Sequence, residues 1–133
     1  MPAIAERPKR VRPSRRPKAS GMASRHIRPL RVQKLALSRT AFARLLKVSE
    51  NTVFRWENQK VRPDAHSNQT LEHLDRLCDI LRPSMEPPAI AQWLERPNTG
   101  LDNFRPVDLI EFEYGRQRLR ALIEETGLVA DTL

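Results

Sequence analysis

The sequence predicts an all-α chain. Its four glycines, one tyrosine and four phenylalanines leave little material for a β design. No segment alternates apolar and polar residues long enough to form a strand. Apolar residues instead recur three and four apart in several runs bounded by Ser, Pro or Gly. At 133 residues, 39% apolar and 30% charged, the chain suits one core or two small modules sharing one.

The first 21 residues, "MPAIAERPKRVRPSRRPKASG", alternate Pro with Arg and Lys and hold almost nothing that could be buried. Residues 1–22 are therefore expected to be a disordered basic tail. It is either an arm for nucleic-acid phosphates or a solubilising extension, and Met22 is a candidate second start. It lacks the apolar run of a signal peptide, and its prolines oppose a transit helix. Nor does any stretch approach the roughly 18 apolar residues of a membrane span.

A first helix is expected from about Ser24 or Pro29 through Ala36, with Leu30 or Ile27, Val32 and Leu35 inward. Ser38 then reads as an N-cap, its hydroxyl accepting from a free backbone N–H of the next turn. The helix it opens, "RTAFARLLK", places Phe42, Leu45 and Leu46 on one side. Ser49 repeats the cap for "ENTVFRWEN", where Val53 and Trp56 stand three apart, and Pro63 is expected to end that segment. "NQTLEHLDRLCDIL" carries Leu71, Leu74, Leu77, Cys78 and Leu81 at helical spacing. "PPAIAQWLERP" gives a short helix with Ile90, Trp93 and Leu94 inward. "RPVDLIEFEYGRQRLRALIEETG" reads as two helices hinged near Gly115, with Val107, Leu109, Ile110, Leu119, Leu122 and Ile123 apolar.

Charge divides the chain. Residues 1–31 hold ten Lys/Arg against Glu6, residues 32–63 seven against two acids, and residues 64–133 seven against thirteen. The segment charges are +9, +5 and −6, which give the net +8 of the whole chain. A basic front suits a polyanion and an acidic back suits something else.

Two short capped helices joined by the tight turn "VSEN" have the sequence form of a helix-turn-helix. Small Ala43 allows close approach, while Glu50, Asn51, Thr52 and Arg55 are left on the outer side. Asn and Arg suit paired hydrogen bonds to adenine and guanine, Thr a thymine methyl or a phosphate, and Glu a cytosine amine. Arg39, Arg44, Lys60 and Arg62, near the helix ends, suit phosphates, and Thr40 and Ser49 are expected among the DNA-binding residues.

The stretch "LSRTAFARLLKVSENTVFRWENQKVRP" resembles the DNA-binding motif of Xre/Cro-type repressor relatives, with a small residue at Ala43, an apolar one at Val53 and a Trp-Glu pair at Trp56 and Glu57. Lys47 and Gln59 depart from it, because glycine is usual at both turns. "WLERPNTGLDNFRPVDLIEFEYGRQRLRALIEE" is similar to the toxin-binding region of Xre-type antitoxins of the MbcA/ParS group. Arg105 and Tyr114 vary that second pattern without breaking it. Together the resemblances span about residues 25 to 125. They imply a DNA-binding domain at 23–83 and a toxin-binding helical domain at 84–133. They also imply a RES-domain toxin partner that consumes NAD, repression of the shared operon through promoter DNA, a homodimer, and higher toxin–antitoxin assembly.

Trp93, Leu94, Leu109, Leu119 and Leu122 are read as core. The expected toxin contacts are Arg116, Arg118, Glu124 and Glu125 with the apolar Leu128, Val129 and Leu133. Two alternatives stand beside this reading: a plain phage-type repressor whose back half only dimerises, and a protein-only inhibitor that no longer binds DNA. Cys78 has no partner for a disulfide, and neither it nor His26, His66 or His73 has metal-ligand spacing. His66 and His73 are expected to face solvent. Without a glycine-rich phosphate loop or a positioned nucleophile, no catalytic residue, metal or cofactor is expected. A reduced, cytoplasmic, nucleoid-associated setting in a bacterium follows from these readings.

Overall fold

The computed structural model describes residues 24–58 and 61–126. The basic tail, Lys60, Leu128, Val129 and Leu133 lie outside the described residues. Among the described residues all regular structure is helical, apart from one isolated antiparallel bridge between Asn98 and Phe104.

Helix α1, Ser24–Pro29, runs on into a π-helical turn, Leu30–Lys34. The π turn explains one difference from the periodicity. A wider turn brings residues five apart into line, so Ile27, Leu30 and Leu35 are fully buried. Val32, expected inside, is exposed, and Arg31 is buried in its stead. Lys34 closes the turn with its ammonium 2.9 Å from Asp75 and 2.9 Å from Asp79. Burial lowers the Lys34 pKa, but these two carboxylates outweigh it and hold the group above its ordinary value.

Helices α2, Arg39–Leu46, and α3, Glu50–Glu57, start at the expected caps. Ser38 Oγ accepts from Ala41 N at 3.1 Å, and Ser49 Oγ from Thr52 N at 2.9 Å. Phe42, Ala43, Leu45, Val53 and Trp56 are buried between them and α1. Helix α3 stops at Glu57, well before Pro63. The proline instead precedes Asp64, whose carboxylate accepts from Ser67 N at 2.7 Å and caps α4, Ala65–Leu81. These hydrogen bonds to Ser67 hold the Asp64 carboxyl below its usual range. Leu71, Leu74, Leu77, Cys78 and Leu81 form the buried stripe of α4, and burial pushes the Cys78 thiol up to about 12. Cys78 is a packing residue at neutral pH.

Helix α5, Pro87–Glu95, begins on two prolines, which cost nothing in a first turn that lacks intrahelical acceptors for its N–H groups. A 3-10 turn, Thr99–Leu101, leads to the four-residue α6, Pro106–Leu109, and then to α7, Glu113–Thr126. Asp102 and Asn103 take left-handed backbone angles in the connecting loop, which Asx-type residues tolerate. One apolar cluster runs from Ile27 to Ile123 and so crosses the boundary expected at 83/84.

The hinge expected near Gly115 lies earlier, over Ile110–Phe112, and Gly115 is inside α7. Its lack of a side chain serves close approach: a Cβ there would stand 2.2 Å from the Leu109 carbonyl oxygen. Gly115→Ala should therefore lower the unfolding free energy by about 3 kcal/mol, the upper part of the usual overpacking range, because the obstacle is backbone. Urea unfolding measures it, and a loss under about 0.5 kcal/mol would show that α6 and α7 can separate freely.

Candidate nucleic-acid and partner-binding surfaces

The α2–α3 unit depends on how the chain turns between its helices. Lys47 adopts the left-handed conformation (φ 61°, ψ 42°). Its N–H reaches Arg44 O at 3.2 Å, and Val48 N–H reaches Ala43 O at 3.0 Å, the two bonds of a Schellman stop. Lysine thus occupies a position where glycine would be less strained. Its Nζ extends to Asp108 Oδ1 of α6, 3.3 Å away.

On α3, Val53 and Trp56 are buried while Glu50, Asn51 and Arg55 are exposed. Thr52 is half-buried, with its hydroxyl 2.7 Å from Ser49 Oγ. Glu50 sits in the first turn, where a carboxylate complements the helix dipole. Thr40, Arg44, Ser49 and Arg62 are exposed as well. Arg39 is not free in the same way. Its Nε lies 3.7 Å from a Glu57 oxygen, and its guanidinium covers the exposed Phe54 ring at 5.1 Å.

Sequence reasoning missed the pair that fixes α3. Arg31 of the π turn donates through Nε and Nη2 to the two Glu57 oxygens, the second at 3.1 Å, and through Nη1 to Leu37 O at 3.1 Å. Both side chains are nearly buried, at 9% and 4% exposure. The Trp56-Glu57 pair pointed to this position, but nothing in a 3.6-residue period pointed to Arg31.

In the second half, Arg105 grips Asp108 with two bonds of 2.9 and 2.8 Å. This partner, and then Lys47, hold the Asp108 carboxyl below its usual range against the opposing effect of burial. The expected toxin contacts divide. Arg116 is half-buried and donates to Ile110 O at 2.8 Å, closing the end of α6. Arg118 binds Asp102 at 3.1 Å and Gly100 O at 3.3 Å, strapping the 98–104 loop to α7. Glu124 and Glu125 are exposed. Tyr114 is an exposed aromatic of this half, as are Phe104 and Phe112, which no sequence reading singled out. His66 is exposed, 3.3 Å from Glu111, while His73 is half-buried against Arg76 and so departs from its expected solvent-facing position.

Among the described residues no group of His, Cys, Asp and Glu could hold a metal ion, and no helix is long and apolar enough to cross a membrane.

The chain is 35% identical over 68 residues to the probable mycobacterial cidal antitoxin Rv3188 of Mycobacterium tuberculosis. It is a homologue of that protein. The matched stretch is 51% of this chain and 57% of the mycobacterial relative, so the chain spans little more than half of the relative's length. The structure is also similar to one chain of the crystal structure of the M. tuberculosis MbcT-MbcA toxin-antitoxin complex, with a TM-score of 0.57 and 24% identity. That likeness covers 77% of this chain and 89% of the other, and it shows a shared helical fold. No family model matches the chain.

Two outcomes follow from the ion pairs. Glu57→Leu alone should cost about 3 kcal/mol by stranding the buried Arg31 guanidinium, and adding Arg31→Met should recover most of it. Equal losses in single and double variants, measured by chemical unfolding, would show that the pair contributes only packing. The second concerns acid. Because the folded Asp108 pKa is depressed, its stabilisation is present above the ordinary carboxylate pKa and is lost as pH falls through the lower folded value. The difference in Tm between the native chain and Asp108→Asn should therefore be largest near pH 6 and shrink below about pH 4. A pH-independent difference would separate Asp108 from the acid response.

Proposed function

We propose that this chain is the antitoxin of a toxin–antitoxin pair, neutralising a RES-domain toxin and repressing its own operon through promoter DNA. The antitoxin part is supported by homology to a mycobacterial antitoxin and by a fold like that found in a toxin–antitoxin complex. The DNA part is supported above all by one observation. A capped α3 buries Val53 and Trp56 and leaves Glu50, Asn51 and Arg55 exposed at its outer side.

In this reading α2 and α3 form a helix-turn-helix, and the first turn of α3 enters the major groove. Asn51 and Arg55 read base edges, while Thr40, Arg44, Ser49 and Arg62 meet phosphates. The net +14 of residues 1–63 draws the chain to DNA without naming a sequence. A homodimer would present two such helices to half-sites about 34 Å apart or a multiple of it. The acidic half, with Arg118, Glu124 and Glu125, faces the toxin. The setting is the bacterial cytoplasm, at the nucleoid.

Asn51→Ala and Arg55→Ala should each weaken binding to the operon's promoter by about 5- to 100-fold at fixed salt, with the circular dichroism unchanged. Removing residues 1–22 should flatten the salt dependence while keeping sequence preference. Unchanged promoter affinity in both point variants would remove α3 from DNA recognition. For the antitoxin part, co-expression should relieve the growth arrest caused by the toxin encoded beside this gene. Undiminished arrest would refute that part alone.

A further inference from the structure

In the acidic half, three of the seven arginines meet at one place. An open groove of about 230 Å³ lies between α4 and α7, with Leu77, Ile80, Leu119 and Ile123 along it. Arg76, Arg116 and Arg120 line it too, beside His73, and no lining residue is a carboxylate.

Arg82, Arg105 and Arg118 each hold a carboxylate. Arg76 instead is hydrogen-bonded to the His73 ring, at 2.9 Å, and Arg116 to the Ile110 carbonyl. Arg120 is exposed, and among the described residues none of the three has a carboxylate at ion-pair distance. Among the described residues Arg96 of the same half also lacks one; what sets these three apart is that they line one groove. Like charges gathered over apolar surface repel one another and are poorly hydrated on that side. An anionic occupant with an apolar body removes both costs.

His73 reports the same field. Burial lowers its pKa first, Arg116 and Arg76 lower it further, and only Glu72 opposes them. The apolar strip distinguishes among occupants. Nucleic acid would put phosphates on the arginines and leave the strip uncovered, whereas an amphipathic helix presents apolar and acidic side chains at neighbouring positions.

We propose that the α4–α7 groove seats an acidic amphipathic segment of the toxin, its apolar side chains against Leu77, Ile80, Leu119 and Ile123 and its carboxylates on Arg76, Arg116 and Arg120. This rests on the antitoxin reading above. Arg116 is then partly committed to α6, and the exposed Arg76 and Arg120 carry most of the recognition.

The test uses the full chain and the toxin encoded beside its gene. Arg76→Glu/Arg120→Glu, at two exposed positions, should weaken toxin binding by about 30-fold or more, with thermal midpoint and promoter binding unchanged. Arg76→Lys/Arg120→Lys should stay within about tenfold of the native chain, since it keeps the charge but loses the planar fork. In the native chain the His73 ring should titrate at higher pH when toxin is bound, and this rise should vanish in the reversed variant. Native toxin affinity in the reversed variant overturns the groove while leaving the antitoxin reading intact. A native chain that binds no toxin overturns both. Without toxin, a His73 titration altered by ending the chain at Thr126 would place residues 127–133 in the groove. One that depends on protein concentration would place a second copy there. Either result overturns the proposal.

Discussion

The two-pronged contact between Arg31 and Glu57 sets the direction of α3, and the exposed face of that helix has a fixed aim only because of it. Glu57 is at the C-terminal end of α3 and Arg31 is in the π turn, so the pair ties the helix to α1 across the core. Taking both charges out of water is costly, and that cost is offset only because the geometry is bidentate and the Leu37 carbonyl accepts a third N–H. Glu57 also faces Arg39, at a distance too long for a hydrogen bond, so one buried carboxylate serves two guanidiniums. Among the described residues the Arg39 Nε has no hydrogen-bond partner, and the guanidinium lies over the Phe54 ring. This arrangement tolerates little rotation of α3. Any turn of the helix that buried Arg55 would draw Glu57 away from Arg31.

The same rigidity extends to the second half through packing more than through charge. Helix α4 carries a five-residue buried stripe into a cluster that continues to Ile123. The polar contacts that reach α6 and the turn after it, Lys47 with Asp108 and the His66 ring beside Glu111, are partly exposed, and such pairs contribute only about 0 to 1 kcal/mol. They select an orientation that the apolar cluster then holds. In the 98–104 loop, Asn98 accepts from Gly100 N and pairs with Phe104, so this irregular segment is fixed by its own backbone before Arg118 straps it to α7.

Much of this was legible in the residues. The Ser38 and Ser49 caps, the α4 stripe and the division of α3 into buried Val53 and Trp56 and exposed Asn51 and Arg55 all follow from local rules of spacing and hydrogen-bonding chemistry. The misses share a different cause. Val32 and Arg31 exchanged places because a π turn changes the angular period, and no propensity signals that change. Glycine's permissiveness suggests a hinge at Gly115, whereas its role depends on a carbonyl six residues earlier in the chain. The pairing of Arg31 with Glu57, and the meeting of Arg76 with Arg120, join residues distant in sequence. Such contacts depend on how helices pack, and a pattern along one helix carries no information about them.

Lys47 shows how the two halves constrain a single residue. A non-glycine residue in the left-handed region costs about 1 to 2 kcal/mol. The Schellman bonds to Ala43 and Arg44 come from the backbone, so glycine would form them equally well and they cannot account for lysine. The contact with Asp108 contributes too little to offset the strain, since Lys47 is well exposed and Asp108 already has two bonds from Arg105. On local energetics glycine is the better residue here. What lysine adds is a cation at the bend between α2 and α3, within reach of α6 in the acidic half. The choice sacrifices stability at the turn for a charged contact between the segment before α3 and α6.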